Sequence, residues 1–270
     1  MRLGIYTNRS KDEKLQKADA LAGECAAKGF DYRILSDMSN LEGLDILVVI
    51  GGDGTILNIC GDAARAGVPI LSVNNGRMGF LTEIELFEFS AALENISAGK
   101  FETEERMMMD VVIDGKTFVS LNEILVVREK RNSISRIEVR CGGELIDTYE
   151  GDGVIVSTPT GSTGYSLSSG GPILSPKIKA FVLTPLCVHS LVNRPWVFSD
   201  AESREIEVQS RDDDNSAYID GREVAVNLKK GAKIIVRKSA LTVNFVRVGK
   251  QSFYGKMYRK LVQWNNFKKG

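Results

Sequence analysis

Apolar residues along the first hundred positions follow two alternating rhythms. Unbroken or nearly unbroken runs at Leu3 to Tyr6, Tyr32 to Leu35, Ile46 to Ile50 and Pro69 to Val73 read as short strands, the third buried on both faces. Between them, Leu15, Ala18, Leu21, Ala22 and Cys25 recur at helical steps over Lys11 to Lys28, with Gly29 placed to end the helix. Thr55 to Ala66, closed by Gly67, and Glu85 to Ala98 read as two further helices. Strands alternating with helices predict an α/β domain over residues 1–99 with a parallel, doubly wound sheet. In such sheets ligands bind beyond the strand C-termini.

Beyond residue 100 the rhythm becomes strands joined by tight turns. Met109 to Ile113 and Lys116 to Val119 flank Asp114-Gly115, and Ile137 to Arg140 and Leu145 to Tyr149 flank Gly142-Gly143. Tyr218-Ile219 and Val224 to Val226 flank Asp220-Gly221. Phe181 to Leu186, Glu205 to Val208, Lys233 to Val236 and Leu241 to Val246 add strands. This predicts a β-rich domain over 100–250. The last segment, 251–270, is helix-like from Lys256 to Phe267 and is expected to pack back on the first domain.

Composition leaves the partners local and small. Thirty-five basic and thirty-five acidic residues give a formal net charge of zero, so no global field favours nucleic acid or an anionic membrane. No run approaches the about 20 apolar residues of a membrane helix, and the chain starts on a strand pattern, not a signal peptide; a cytoplasmic protein is expected. Cys25, Cys60, Cys141 and Cys187 have no CxxC spacing and one histidine, His189, to accompany them, which suggests neither disulfides nor zinc. His189 lacks a G-x-S-x-G partner and reads as a loop residue held by hydrogen bonds. Arg211-Asp212-Asp213-Asp214-Asn215 reads as a solvated turn.

Chemistry concentrates where the third strand ends. Gly51-Gly52-Asp53-Gly54-Thr55 places three glycines around one acid, at the start of a helix. Such a turn lets backbone amides approach an anion. It lacks the Gly-Lys-Ser/Thr ending of a Walker A loop and the spacing of a dinucleotide fingerprint. Asp53 either caps the helix or orients and deprotonates a nucleophile beside a phosphate chain. A second glycine-bearing loop, Asn74-Asn75-Gly76-Arg77-Met78-Gly79-Phe80-Leu81, follows the next strand to the same sheet edge. Phe80 there either anchors the loop or stacks on a base.

Residues Gly151 to Pro172 carry many hydroxyls and glycines, and loop hydroxyls can read sugars, base edges and phosphates without net charge. With this block the chain resembles an NAD kinase. The residues that carry the resemblance are Gly51 to Thr55, Asn122-Glu123, Asp152-Gly153, Ser157 to Ser166, and His189-x-Leu191-x-x-Arg194-Pro195, in the family's order over about residues 50 to 222. Short GGDG turns also occur in lipid kinases; the hydroxyl-rich block is more specific.

The resemblance implies a kinase that moves the γ-phosphoryl of ATP, or of another triphosphate or polyphosphate, to the 2′-hydroxyl of the adenosine ribose of NAD. Asp53 would take the hydroxyl proton, Gly51, Gly52, Gly54 and Thr55 would line the phosphates, and Mg²⁺ or another divalent metal would ride on the donor without direct protein ligands. Asn122 and Glu123 would meet the ribose and donor, although neighbours in a strand point to opposite faces, so one of the two reaches the ligand unless a bulge intervenes. Adenine would lie near Phe80, Thr160, Thr163, Gly164 and Tyr165, with Ser166 at its margin; Asp152 would accept from the nicotinamide amide.

The family commonly has proline at Val188, alanine at Asn193 and Gly164, and glutamine at Arg222, so nucleotide contacts at Asn193 and Arg222 are where this chain departs. The resemblance also implies a homodimer or homotetramer. The rivals are a GGDG-type lipid or small-molecule kinase and a non-catalytic dinucleotide sensor.

Overall fold

The computed structural model describes all residues except 9–11, 13–14, 77–78, 131–132, 191–192, 202–204, 250–251 and 268–270, with side chains as far as residue 262 in the last helix. Lys11, Arg77, Met78 and Leu191, named above, therefore lie outside the described residues, as does the side chain of Trp264. The chain forms two compact units, Met1–Glu105 with Val243–Gly270, and Arg106–Thr242.

The first unit runs β1 (Arg2–Thr7), α1 (Gln16–Ala27), β2 (Asp31–Leu35), β3 (Ile46–Ile50), α2 (Asp53–Ala66), β4 (Ile70–Asn74), β5 (Ile84–Glu85) and α3 (Phe89–Ser97). The first four strands pair in parallel in the order β4-β3-β1-β2. Ile46, Val48 and Ile50 of β3 share a core with Leu3, Ile5, Leu21, Cys25, Phe89 and Leu93. Leu47 and Val49, equally buried, point to the other face by the two-residue period of a strand. There α2 packs against β3 and β4, so every position of β3 had to be apolar. The helix expected from Glu85 begins instead at Phe89. Ile84–Glu85 first pairs with β4, and Leu86–Glu88 forms one tight turn closed by a reciprocal Glu85/Glu88 cap.

The chain continues through β6 (Glu102–Ile113), β7 (Lys116–Ser120), β8 (Glu123–Arg128), β9 (Ser135–Cys141), β10 (Glu144–Gly151), β11 (Gly153–Ser157), α4 (Tyr165–Ser168), β12 (Ala180–Leu186), β13 (Trp196–Ser199), β14 (Ile206–Ser210), β15 (Asn215–Ile219), β16 (Arg222–Leu228), β17 (Lys233–Arg247) and α5 (Phe253–Phe267). In the second unit β13-β12-β11-β8-β15-β16 make an antiparallel sheet. Their apolar faces share a core with those of β9, β14 and β17. The three predicted hairpins form, with left-handed backbone at Asp114 (φ 49) and Gly115 (φ 74), Gly142 (φ 60) and Gly143 (φ 88), and Asp220 (φ 49) and Gly221 (φ 75). That geometry matches the strand twist, and Asp and Gly tolerate it.

Two strand boundaries differ from expectation. β6 starts at Glu102, not Met109. Lys233 to Val236 and Leu241 to Val246 are one strand, β17. In the stretch that looked like a break Ser239 is buried, while Arg237 and Lys238 are exposed, Arg237 lying 3.9 Å from Asp110 and Lys238 donating to Asp200 at 2.6 Å.

The acidic loop 211–215 has a separate partner for each acid: Arg136 for Asp212, the Lys230 amide for Asp213 and Lys130 for Asp214. His189 is held in its loop by its own amide, which donates to Glu150 O at 2.9 Å. Cys25 and Cys60 are buried in helices, and all four cysteines are free thiols. Helix α5 returns to the first unit, where Lys256 Nζ donates to Thr82 O at 2.5 Å. Among the described residues, no helix is long and apolar enough to cross a membrane.

Candidate active site

The glycine-rich turn after β3 is tighter than its sequence suggested. Helix α2 begins at Asp53 itself, with Gly52 at the N-cap position and no side chain capping it. The carboxylate of Asp53 therefore does not cap its own helix. It turns to the second glycine-bearing loop, where Oδ2 accepts the Phe80 amide at 2.7 Å and Oδ1 the Leu81 amide at 2.9 Å. Gly79 makes this approach possible, because a Cβ there would lie 2.0 Å from Asp53 Oδ1. Gly51 plays the same part for Thr55, whose Oγ1 would be 2.5 Å from a Cβ at that position. Gly52 and Gly54 have open space at their missing Cβ, and Thr55 Oγ1 is buried without a partner among the described residues.

Phe80 is partly covered by a residue the sequence did not mark. Lys260, on α5, holds its ammonium 3.4 Å from the centre of the Phe80 ring. Only 5% of Lys260 is exposed, and burial pushes its ammonium down to about 8 against the pull of the Asp53 carboxylate. No carboxylate pairs with it among the described residues. A cation–π contact contributes roughly 0.5–2 kcal/mol, less than the several kcal/mol per ion that burial costs.

In the second unit a separate cluster of the expected residues is organised by Asp220. From its left-handed turn Asp220 accepts Ser120 Oγ at 2.7 Å and the amides of Leu121, Asn122 and Glu123 at 3.0, 2.8 and 3.1 Å. These donors lock the backbone just before β8. Asn122 thus precedes the strand, which frees it from strand alternation. Asn122 Nδ2 and Glu123 Oε2 both approach the site of a Cβ on Gly164, at 3.4 and 3.2 Å, so the two side chains converge there. Asn122 Oδ1 and Glu123 Oε2 are buried without a hydrogen-bond partner among the described residues. Burial and then the charge of Asp220 push the Glu123 carboxyl up to about 8. Burial pushes the Asp220 carboxyl up as well, but Ser120 and three amides oppose this by favouring its ionised form, whereas nothing among the described residues opposes the rise at Glu123, so Glu123 is the member that keeps the proton.

The hydroxyl-rich block is docked on this corner, since a Cβ at Gly161 would stand 2.1 Å from Asn122 O. Much of its hydroxyl complement is engaged within the protein. Ser162 Oγ donates to Pro159 O, Thr163 Oγ1 donates to Thr160 O, and Ser166 Oγ lies 2.8 Å from Thr184 Oγ1. Buried hydroxyls need partners, and the nearest are backbone carbonyls. Thr160 Oγ1 accepts from Arg106, while Tyr165 remains 49% exposed. Asp152 is paired with Arg128 at 2.7 Å. Asn193 Oδ1 is buried and unpartnered among the described residues, and Arg222 is exposed at the start of β16. Gly51 to Thr55 and Phe80 thus gather in one unit, and Asn122, Glu123, Thr160, Thr163 and Gly164 in the other. Ser166 is turned toward Thr184 on β12. Sequence reasoning missed Gly79, Asp220 and Lys260.

Comparison with known proteins assigns both units. A model of the ATP-NAD kinase N-terminal domain matches residues 5–101, and one of the ATP-NAD kinase C-terminal domain matches residues 121–248. An NAD kinase of Heliobacterium modesticaldum is 40% identical over 228 residues, covering 83% of this chain and 80% of that protein. The crystal structure of an NAD kinase from Archaeoglobus fulgidus in complex with ATP superposes with a TM-score of 0.79 at 27% identity, over 95% of this chain and 98% of that one. A yeast NADH kinase crystallised with NADH shares the fold, with a TM-score of 0.82 at 20% identity over 97% and 87% of the two chains.

Proposed function

The chain belongs to the NAD kinase family, and from that premise we propose that it phosphorylates the 2′-hydroxyl of the adenosine ribose of NAD with ATP, making NADP. Asp53 takes the hydroxyl proton as the ribose oxygen attacks the γ-phosphorus; the bond to the β-phosphate oxygen breaks, and ADP leaves. Gly51, Gly52 and Gly54 leave the phosphates room, and the amides at the start of α2 point at them.

In the second unit Asn122 and Glu123 hold ribose hydroxyls and Asp152 accepts from the nicotinamide amide. Thr160, Thr163, Gly164 and Tyr165 frame the adenine, with Ser166 supporting the loop behind them. Asn193 and Arg222 contribute at the dinucleotide's phosphates. The single observation that carries this assignment is the pair of buried, unpartnered oxygens Asn122 Oδ1 and Glu123 Oε2. Each costs about 1–3 kcal/mol unless a ligand supplies a partner, and sugar hydroxyls supply one.

The donor's phosphates would bring a divalent metal such as Mg²⁺ to the site. Bound there, it supplies charge neutralisation, so that Asp53 is tolerated beside phosphate. The edge strands β13 and β16 carry exposed Trp196, Val197 and Val226, which supports pairing between copies as a homodimer or homotetramer. The four free thiols suit the reducing cytoplasm.

The test is NADP formation from NAD, ATP and Mg²⁺ by the purified chain, with NADH as a parallel acceptor and a metal-free control. Metal-dependent NADP is expected. A folded sample that binds NAD and makes none is a sensor, and one that binds no dinucleotide returns the question to other GGDG kinases.

A further inference from the structure

The ammonium of Lys260 has a position and an environment that packing alone does not account for. Lys256, one helical turn earlier, ties α5 to the loop carrying Phe80, through Thr82 O at 2.5 Å and Glu83 at 3.7 Å. Glu83 is itself held by Arg247 at 2.8 Å. The i, i+4 spacing then puts Lys260 on the same helix face. Its ammonium rests 3.4 Å from the centre of the Phe80 ring, beside the loop whose amides at Phe80 and Leu81 grip Asp53. Glu83 is spent on Arg247 and Lys256, and Asp53 is spent on two amides. A buried cation beside the acid of a phosphate loop is left with an aromatic face and no counter-ion among the described residues.

We propose that Lys260 is a phosphate-binding residue of the transfer site, its ammonium leaving the Phe80 ring to contact the donor's terminal phosphates beside Asp53. This rests on the kinase reading above and extends it to the C-terminal helix. An aromatic face holds an ammonium weakly enough to release it to an arriving anion. The depressed proton affinity of Lys260 fits a group awaiting negative charge, since polyphosphate restores the preference for the charged form. The contact also relieves the repulsion Asp53 imposes on the same phosphates. No protein acid has to be displaced, only a ring contact.

The experiment compares wild type, Lys260→Met and Lys260→Arg in NADP formation, with thermal melts and NAD binding by calorimetry. Lys260→Met should lose at least a hundredfold in kcat/KM for ATP, keep NAD affinity within twofold, and melt no lower than wild type, since it removes a buried charge. Lys260→Arg should recover at least tenfold of that loss. Lys260→Met within threefold of wild type, or Arg no better than Met, overturns the proposal.

Should Lys260→Met fail to fold, the wild-type Lys260 ε-methylene resonance decides, assigned by its disappearance in Lys260→Arg. It should move on addition of Mg²⁺-tripolyphosphate, and an unmoved resonance overturns the proposal. A wild type that makes no NADP refutes the kinase reading instead, and the tripolyphosphate titration still judges the phosphate site.

Discussion

Asp220 and Glu123 are bound to each other in both directions: Asp220 Oδ1 accepts the Glu123 amide at 3.1 Å, and Glu123 O accepts the Asp220 amide at 3.1 Å. The hairpin turn between β15 and β16 thereby fixes the first residue of β8. The same carboxylate also holds Leu121 and Asn122, so one side chain sets the whole Asn122-Glu123 corner. Asp220→Asn puts an NH₂ group among three amide donors. It should cost about 2–4 kcal/mol of stability and raise KM for NAD roughly tenfold or more. Urea unfolding and initial rates check both, and an unchanged KM in a destabilised protein would confine Asp220 to folding.

Glu123 makes stability depend on pH. Its folded value near 8 lies above the ordinary 4.5, so between those values the folded chain binds a proton that the unfolded chain does not. Its contribution is fully present below pH 4.5 and is lost as pH rises toward 8, with a slope of at most about 1.4 kcal/mol per pH unit. Glu123→Gln, permanently neutral, should flatten that slope. Denaturant melts of both proteins from pH 5 to 8 measure the difference, and parallel pH curves would mean that Glu123 titrates near its unfolded value.

Gly79→Ala should disable the enzyme without touching a catalytic group. The added methyl falls 2.0 Å from Asp53 Oδ1, and either Asp53 or the loop amides must move. A displacement of about 1 Å costs on the order of a hundredfold in rate, so kcat should fall that far while NAD binding persists. Full activity in Gly79→Ala would show that the loop grip on Asp53 is dispensable.

The α/β alternation and the three hairpins were legible because local signals agreed with tertiary ones. β3 had no polar position to mislead, and Asp-Gly and Gly-Gly turns demand left-handed backbone that few residues supply. Asp53 and Asn122-Glu123 were legible as chemistry, but their geometry was not. That Asn122 and Glu123 converge depends on a hydrogen-bond nest made by Asp220, about a hundred residues away. Lys260 is one of several cations in the C-terminal segment, and nothing local distinguishes a lysine facing Phe80 from one facing water. The separation of Lys233 to Val236 from Leu241 to Val246 was wrong for a related reason: Arg237 and Lys238 interrupt the apolar run, and their acidic partners lie far off in sequence.

The loop grip of Asp53 and the proton transfer proposed for it are two separable roles, and two variants distinguish them. As a proton acceptor it can be replaced by neither Asn nor Ala. As the grip on Phe80 and Leu81, it is half replaced by Asn, which keeps one acceptor oxygen, and not at all by Ala. If the grip dominates, turnover should rank wild type, then Asn, then Ala, following amide exchange at Phe80 and Leu81. If proton acceptance dominates, Asn and Ala should be equally inactive, with kcat down about 10²–10⁴-fold, although their amide exchange differs. We expect the second pattern, because both variants leave the 2′-hydroxyl without a base while the glycine turn that seats the phosphates stays intact. Asp53→Asn retaining more than a tenth of wild-type kcat would remove Asp53 from the proton transfer and leave it the loop tie alone.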